Sequence, residues 1–115
     1  LINNAIKFYK DPKFEINQIA VEKLWDALER IKTIFLSSSI DKKQSVKDLI
    51  NKISHNNSDY FDLFNTEFAT LTKIGNVYRI RHHETDKIDI IDDKYYEYLF
   101  NRCLSLLALA VKFIK

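Results

Sequence analysis

The sequence predicts an all-α fold, an up-and-down helical bundle of four to five helices, and three observations carry that prediction. Apolar residues recur at steps of three and four along several long segments, the spacing that lines one face of a helix. There is one Gly and one Pro in 115 residues, too few turn positions for a fold of many hairpins. The chain is 46% apolar and 30% charged, which is ordinary for a folded domain, and its length fills one core but not two. Residues 1–115 are therefore expected to form a single helical domain.

The elements follow in order. Ile2, Ala5, Ile6 and Tyr9 give the first ten residues a short amphipathic spacing. Asp11-Pro12 then offers an N-cap and a first-turn proline, whose missing N–H would have no helical partner anyway. The helix predicted from there runs to about Phe35–Ser37, with Ile16, Ile19, Ala20, Leu24, Leu28, Ile31 and Phe35 as its apolar stripe and Trp25 and Ala27 flanking it. Glu22, Asp26, Glu29, Arg30 and Lys32 lie mostly off the stripe and read as a solvated face. Asp41 before Gln44, or Ser45 before Asp48, resembles a capping box for a short, peripheral helix that buries Val46, Leu49, Ile50 and Ile53.

After a polar link at residues 55–59, Phe61, Phe64, Phe68, Leu71, Gly75 and Tyr78 form a seam that should lie along another helix. A glycine inside a helix costs about 1 kcal/mol relative to alanine, so Gly75 points to a close approach of another backbone, unless the helix already ends there. Residues 80–93 lose the helical period, and Ile88 and Ile90 alternate with polar neighbours as a short extended piece would. Asp92-Asp93 caps the last helix with charge of the favourable sign. Tyr96, Leu99, Phe100, Cys103, Leu104, Leu107, Ala110, Val111 and Ile114 give that helix the broadest apolar face, which places it centrally.

Composition excludes several function classes. A net charge of +2 announces no global basic field for nucleic acid, though it permits a local patch. The single cysteine, Cys103, excludes an internal disulfide framework and fits a cytoplasmic location. No apolar run reaches the length of a membrane span, so no membrane partner is expected. The chain opens on Leu1 and contains no Met; the expectation is a piece of a larger protein, whose other domain would be a partner.

Chemistry concentrates in residues 74–90. A metal site of His82, His83 and Glu84 is disfavoured, because adjacent residues on a helix do not converge on one ion and no thiolate lies nearby; neither metal nor cofactor is expected. Arg79, Arg81, His82, His83 and Lys87, with Tyr78 beside them, could meet RNA or nucleotide phosphates and stack a base. The blander reading, favoured by the residues alone, pairs Arg79 and Arg81 with Glu84, Asp86 or Asp89. A histidine beside a guanidinium also has the parts of a nuclease: one moves the 2′-hydroxyl proton and the other stabilises the phosphorane charge. Tyr95, Tyr96 and Tyr98 read as core and rim.

The run I-G-N-V-Y-R-I-R-H-H, leading into a loop and then a long apolar helix, resembles the HEPN superfamily, and more narrowly the C-terminal domains of bacterial abortive-infection proteins. The resemblance is best over residues 71–115, and W-D-A-L-E-R-I-K-T at 25–33 is similar to the first long helix of such domains. It implies a homodimeric bundle of four to five helices carrying a metal-independent endoribonuclease site for phage defence. On this chain Arg81 matches the family arginine and His82 the polar position, with His83 as the imidazole and Arg79, Lys87 and Tyr78 as RNA contacts. The closing histidine of the pattern is absent, its window holding Asp86, Lys87 and Ile88. Two readings stay open: an RNase, or a non-catalytic HEPN-like module for dimerisation or nucleotide or RNA binding.

Overall fold

A computed structural model describes residues 17–38 and 40–114. The expectations for the first ten residues and for a helix start at Asp11-Pro12 lie outside these. Among the described residues, four α-helices build an all-α bundle: α1 (Gln18–Ile31), α2 (Lys42–Ile53), α3 (Ser58–Val77) and α4 (Asp93–Val111), with a 3-10 turn at Leu36–Ser38. Among the described residues there is no strand, only a single parallel bridge between Tyr78 and Ile88. No helix among them is long and apolar enough to cross a membrane.

Each helix start is fixed by a side chain that satisfies an otherwise orphaned N–H. Asn17 accepts from the Ala20 N–H, Asp41 from Gln44, Asn57 from Asp59 and Tyr60, and Asp92 from Lys94. The caps expected at Asp41 and Asp92 are thus present. Helix α1 stops at Ile31, earlier than the apolar spacing predicts. The Thr33 N–H and hydroxyl both bond back to the Arg30 carbonyl, at 3.1 and 2.7 Å, which tightens the last turn out of α geometry. The freed Phe35 N–H then donates to the hydroxyl of Ser45, a fully buried side chain on α2. Between α2 and α3 the chain reverses through His55 and Asn56, both in the left-handed region at φ 55° and 58°.

The stripe on α1 differs in phase from the expected one. Val21, Leu24, Trp25, Leu28 and Ile31 are buried, whereas Ile19 is exposed. Helix α2 is not peripheral: Leu49 and Ile50 have no accessible surface, and α2 packs against both α3 and α4. Helix α4 lies along α1 and contributes Phe100, Cys103, Leu104, Leu106, Leu107 and Ala110 to the core, with Val111 left exposed.

Gly75 explains how α1 and α3 meet. The Trp25 indole lies directly over it, so that a Cβ built there would sit 2.7 Å from Trp25 Cδ1 and 2.9 Å from Nε1. The close approach is by a side chain rather than a backbone. The same indole donates a buried 2.9 Å hydrogen bond to the Leu71 carbonyl, one turn earlier on α3. Gln18 reaches Arg79, just past the end of α3, while Trp25 reaches Leu71 and Lys32 reaches Thr72, so α1 crosses the C-terminal half of α3. Helices α3 and α4 are antiparallel: His55 packs edge-on to Phe113, and Glu67 pairs with Arg102.

Candidate functional site

Helix α1 presents Glu22, Asp26 and Glu29 at a spacing of four and three, which aligns them on one face. The loop from Tyr78 to Asp92 lies across the first two. Its anchor is Ile80, fully buried in the core, and its root is closed by the Arg79 N–H to Ile88 carbonyl bond at 2.7 Å and the Ile88 N–H to Val77 carbonyl bond at 3.0 Å. Ile88 itself stays exposed, and Ile90 packs against the core. The alternation expected there therefore buries only one of the pair.

Within the loop nearly every cation meets an acid or a carbonyl. Arg81 donates from Nε and Nη2 to Asp26 Oδ1, at 3.1 and 2.9 Å, and lies 3.9 Å from Glu84. Lys87 holds the other oxygen of Glu84 at 2.9 Å. Arg79 turns back to the His82 carbonyl through Nε and Nη2 and sits 3.6 Å from Asp89. These bonds hold the loop's shape, and Arg81 ties it to α1.

His82 and His83 occupy a turn rather than a helix, with their rings edge to face at 5.9 Å. Glu22 accepts at Oε1 from the His82 backbone N–H and faces its Nδ1, both at 3.2 Å. Burial pushes the Glu22 carboxyl up, but the hydrogen bonds and positive charge of His82, and more weakly of His83, outweigh it and leave the group below its usual range. One ligand atom from each of Glu22, His82 and His83 lies within 4.8 Å of the others.

Of the candidates named from sequence, the structure brings Arg81, His82 and His83 to one end of the loop, with Arg79 bracing its backbone. Lys87 is engaged with Glu84, and Tyr78 is exposed at the root. The pairing of Arg79 with Asp89 follows the bland expectation; the main partner of Arg81 does not, being Asp26, 55 residues away. Sequence reasoning missed Glu22 and Asp26, filed as solvated face. Their four-residue spacing puts them on one helix face, but nothing local in the sequence pairs that face with a loop 55 and 60 residues away. An open groove of about 360 Å³ lies nearby, lined by Gln18, Arg79, Asp89, Ile90, Ile91 and Tyr96; Arg81, His82 and His83 are not among its walls.

A second feature lies on α3 and α4. Tyr60, Leu63 and Glu67 stand at i, i+3 and i+7 on α3, and Tyr95, Tyr98 and Arg102 repeat that spacing on α4. Arg102 joins the two stripes, 2.7 Å from Glu67 Oε1 and 3.4 Å from the Tyr98 hydroxyl. Hydrogen bonding to Glu67 raises the Arg102 pKa further against a smaller opposing effect of burial. Tyr60, Leu63, Tyr95 and Tyr98 are 49–60% exposed; because the helices are antiparallel, Tyr60 and Leu63 extend from one end of the ion pair and Tyr95 and Tyr98 from the other.

Comparison with family models, curated proteins and solved structures finds no match to this chain.

Proposed function

We propose that this domain is a non-catalytic, HEPN-like helical module that associates with a second copy of itself through the α3–α4 face. The observation that carries the reading is the pair of matched stripes, Tyr60-Leu63-Glu67 and Tyr95-Tyr98-Arg102, locked together by the Glu67–Arg102 pair. Aromatic side chains and arginine are the groups that interface centres favour. A face that carries Glu67 and Arg102 side by side can also meet its own two-fold copy with opposite charges opposed. The loop agrees with this reading, because Arg81 and Lys87 are already bound to Asp26 and Glu84. Phosphate would have to displace those carboxylates.

Light scattering over a dilution series tests the proposal. The mass should rise toward that of a dimer with concentration, and RNA incubated with the protein in EDTA should stay intact. A constant monomer mass at every concentration overturns the association.

A second reading rests on the two exposed imidazoles beside Arg81. In a metal-independent endoribonuclease of phage defence, His83 or His82 would move the 2′-hydroxyl proton while Arg81 stabilises the phosphorane, with Arg79 and Lys87 on flanking phosphates and Tyr78 under a base. That reading predicts EDTA-resistant cleavage lost in Arg81→Ala and in His83→Ala. Cleavage unchanged in both variants removes it.

A further inference from the structure

We propose that Glu22, His82 and His83 form a binding site for a divalent transition-metal ion of the zinc type, with two imidazole nitrogens and one carboxylate oxygen as its protein ligands.

Zinc holds imidazole nitrogen and carboxylate oxygen at about 2.0–2.2 Å, so neighbouring ligand atoms of a tetrahedral site stand roughly 3.3 Å apart. Glu22 Oε1 and His82 Nδ1 are already 3.2 Å apart, one such edge. One ligand atom from each of the three residues, His83 included, lies within 4.8 Å of the other two. His83 is exposed, and its ring contact is with His82, so rotation about its side-chain bonds can close the remaining distance.

Adjacent histidines on a helix would diverge, but these two sit in a turn held by the Thr85 N–H to His83 carbonyl bond at 3.1 Å. The turn lets both rings face α1. Two imidazoles and a single carboxylate select zinc, nickel, cobalt or copper over magnesium and calcium, which take oxygen ligands. With the ion on Nδ1, the neutral His82 ring carries its proton on Nε2. The His82 backbone N–H remains on the Glu22 carboxylate and orients it from outside the metal's own shell. Three protein ligands at an exposed rim leave a fourth position open to water, as in zinc sites that bind further ligands.

The site joins α1 to a loop 60 residues further along the chain, so a bound ion favours the folded form over the unfolded chain by linkage. It shares no residue with the α3–α4 face and does not depend on the proposed association.

The test uses the full chain, free of any polyhistidine tag, titrated with zinc chloride by calorimetry and followed by thermal melting. One ion should bind per chain, raise Tm, and release with EDTA; magnesium and calcium should leave Tm unchanged. Glu22→Gln, His82→Ala and His83→Ala should each weaken zinc binding by about tenfold or more, and His55→Ala should not. The decisive variant is His83→Ala, whose ring supports no described hydrogen bond and whose loss should leave the fold intact. Absence of saturable zinc binding overturns the site. So does zinc binding that His83→Ala leaves unchanged, or that His55→Ala abolishes.

Discussion

Replacing Gly75 by alanine adds a single methyl group, and the structure dictates a net loss of stability where helix preference alone dictates a gain. Alanine is favoured over glycine inside a helix by about 1 kcal/mol. Against this, the new Cβ would lie 2.7 Å from Trp25 Cδ1 and 2.9 Å from Nε1, distances at which something must move. The indole is 1% exposed and hydrogen-bonded to the Leu71 carbonyl, so it cannot swing out to solvent as a lysine tip could. Overpacking of this kind costs about 1–3 kcal/mol, and weakening the buried hydrogen bond adds about 0.5–1.5 kcal/mol. The net expectation is a loss of about 0.5–3.5 kcal/mol, or roughly 2–14 °C in Tm for a domain of this size. Urea unfolding followed by far-UV circular dichroism measures it. In a Trp25→Phe background, which has no Nε1 and no hydrogen bond to keep, the cost of Gly75→Ala should shrink. A Gly75→Ala variant as stable as the parent, or more so, refutes the argument.

Other outcomes follow from single contacts. Asp26→Asn removes the charge that holds Arg81; the pair is partly exposed, so global stability should fall by less than about 1 kcal/mol while amide exchange in the 79–88 loop accelerates. Ser45→Ala strips the acceptor from the Phe35 N–H at a fully buried position and should cost about 1–3 kcal/mol, seen as a lower urea midpoint. Burial, with a smaller contribution from Glu67, pushes the Cys103 thiol up to about 12, so it should resist a thiol reagent at neutral pH until urea unfolds the chain; rapid native labelling would contradict its placement. Burial raises the Glu29 carboxyl, but Lys32 and Lys42 outweigh it and hold the group below its ordinary value of 4.5. Glu29 therefore contributes stability above that value and loses it as pH falls through the lower folded pKa; Glu29→Gln should flatten the acid limb of a stability–pH curve.

The parts of this fold that were legible in the sequence were those set by neighbours in the chain. Asp41 and Asp92 announce helix starts because an N-cap acts on an N–H two or three residues on. The α4 face follows from its own spacing. The phase of α1 was not legible, because two stripes share Leu24, Leu28 and Ile31. The space that admits the Trp25 indole is at Gly75, 50 residues away, and Val21 is buried with Trp25 while Ile19 stays out. The early end of α1 likewise depends on Thr33 bonding back to Arg30 and on the distant Ser45 hydroxyl.

The candidate site divides in the same way. Arg79, Arg81, His82 and His83 were found because they cluster in sequence. Their α1 partners, Glu22 and Asp26, come from 60 and 55 residues away, beyond any spacing rule. The stripes on α3 and α4 were not legible: Tyr95 and Tyr98 were expected at core and rim but are exposed, and the Glu67–Arg102 pair links helices that are separate in sequence.

Sedimentation velocity on three proteins tests the proposed association most directly: the parent chain, Arg81→Ala, and the double variant Leu63→Glu with Tyr98→Glu. The parent and Arg81→Ala should form a concentration-dependent dimer, and the double variant should be a monomer of unchanged helicity. A monomeric parent, or a double variant that still dimerises, would contradict it.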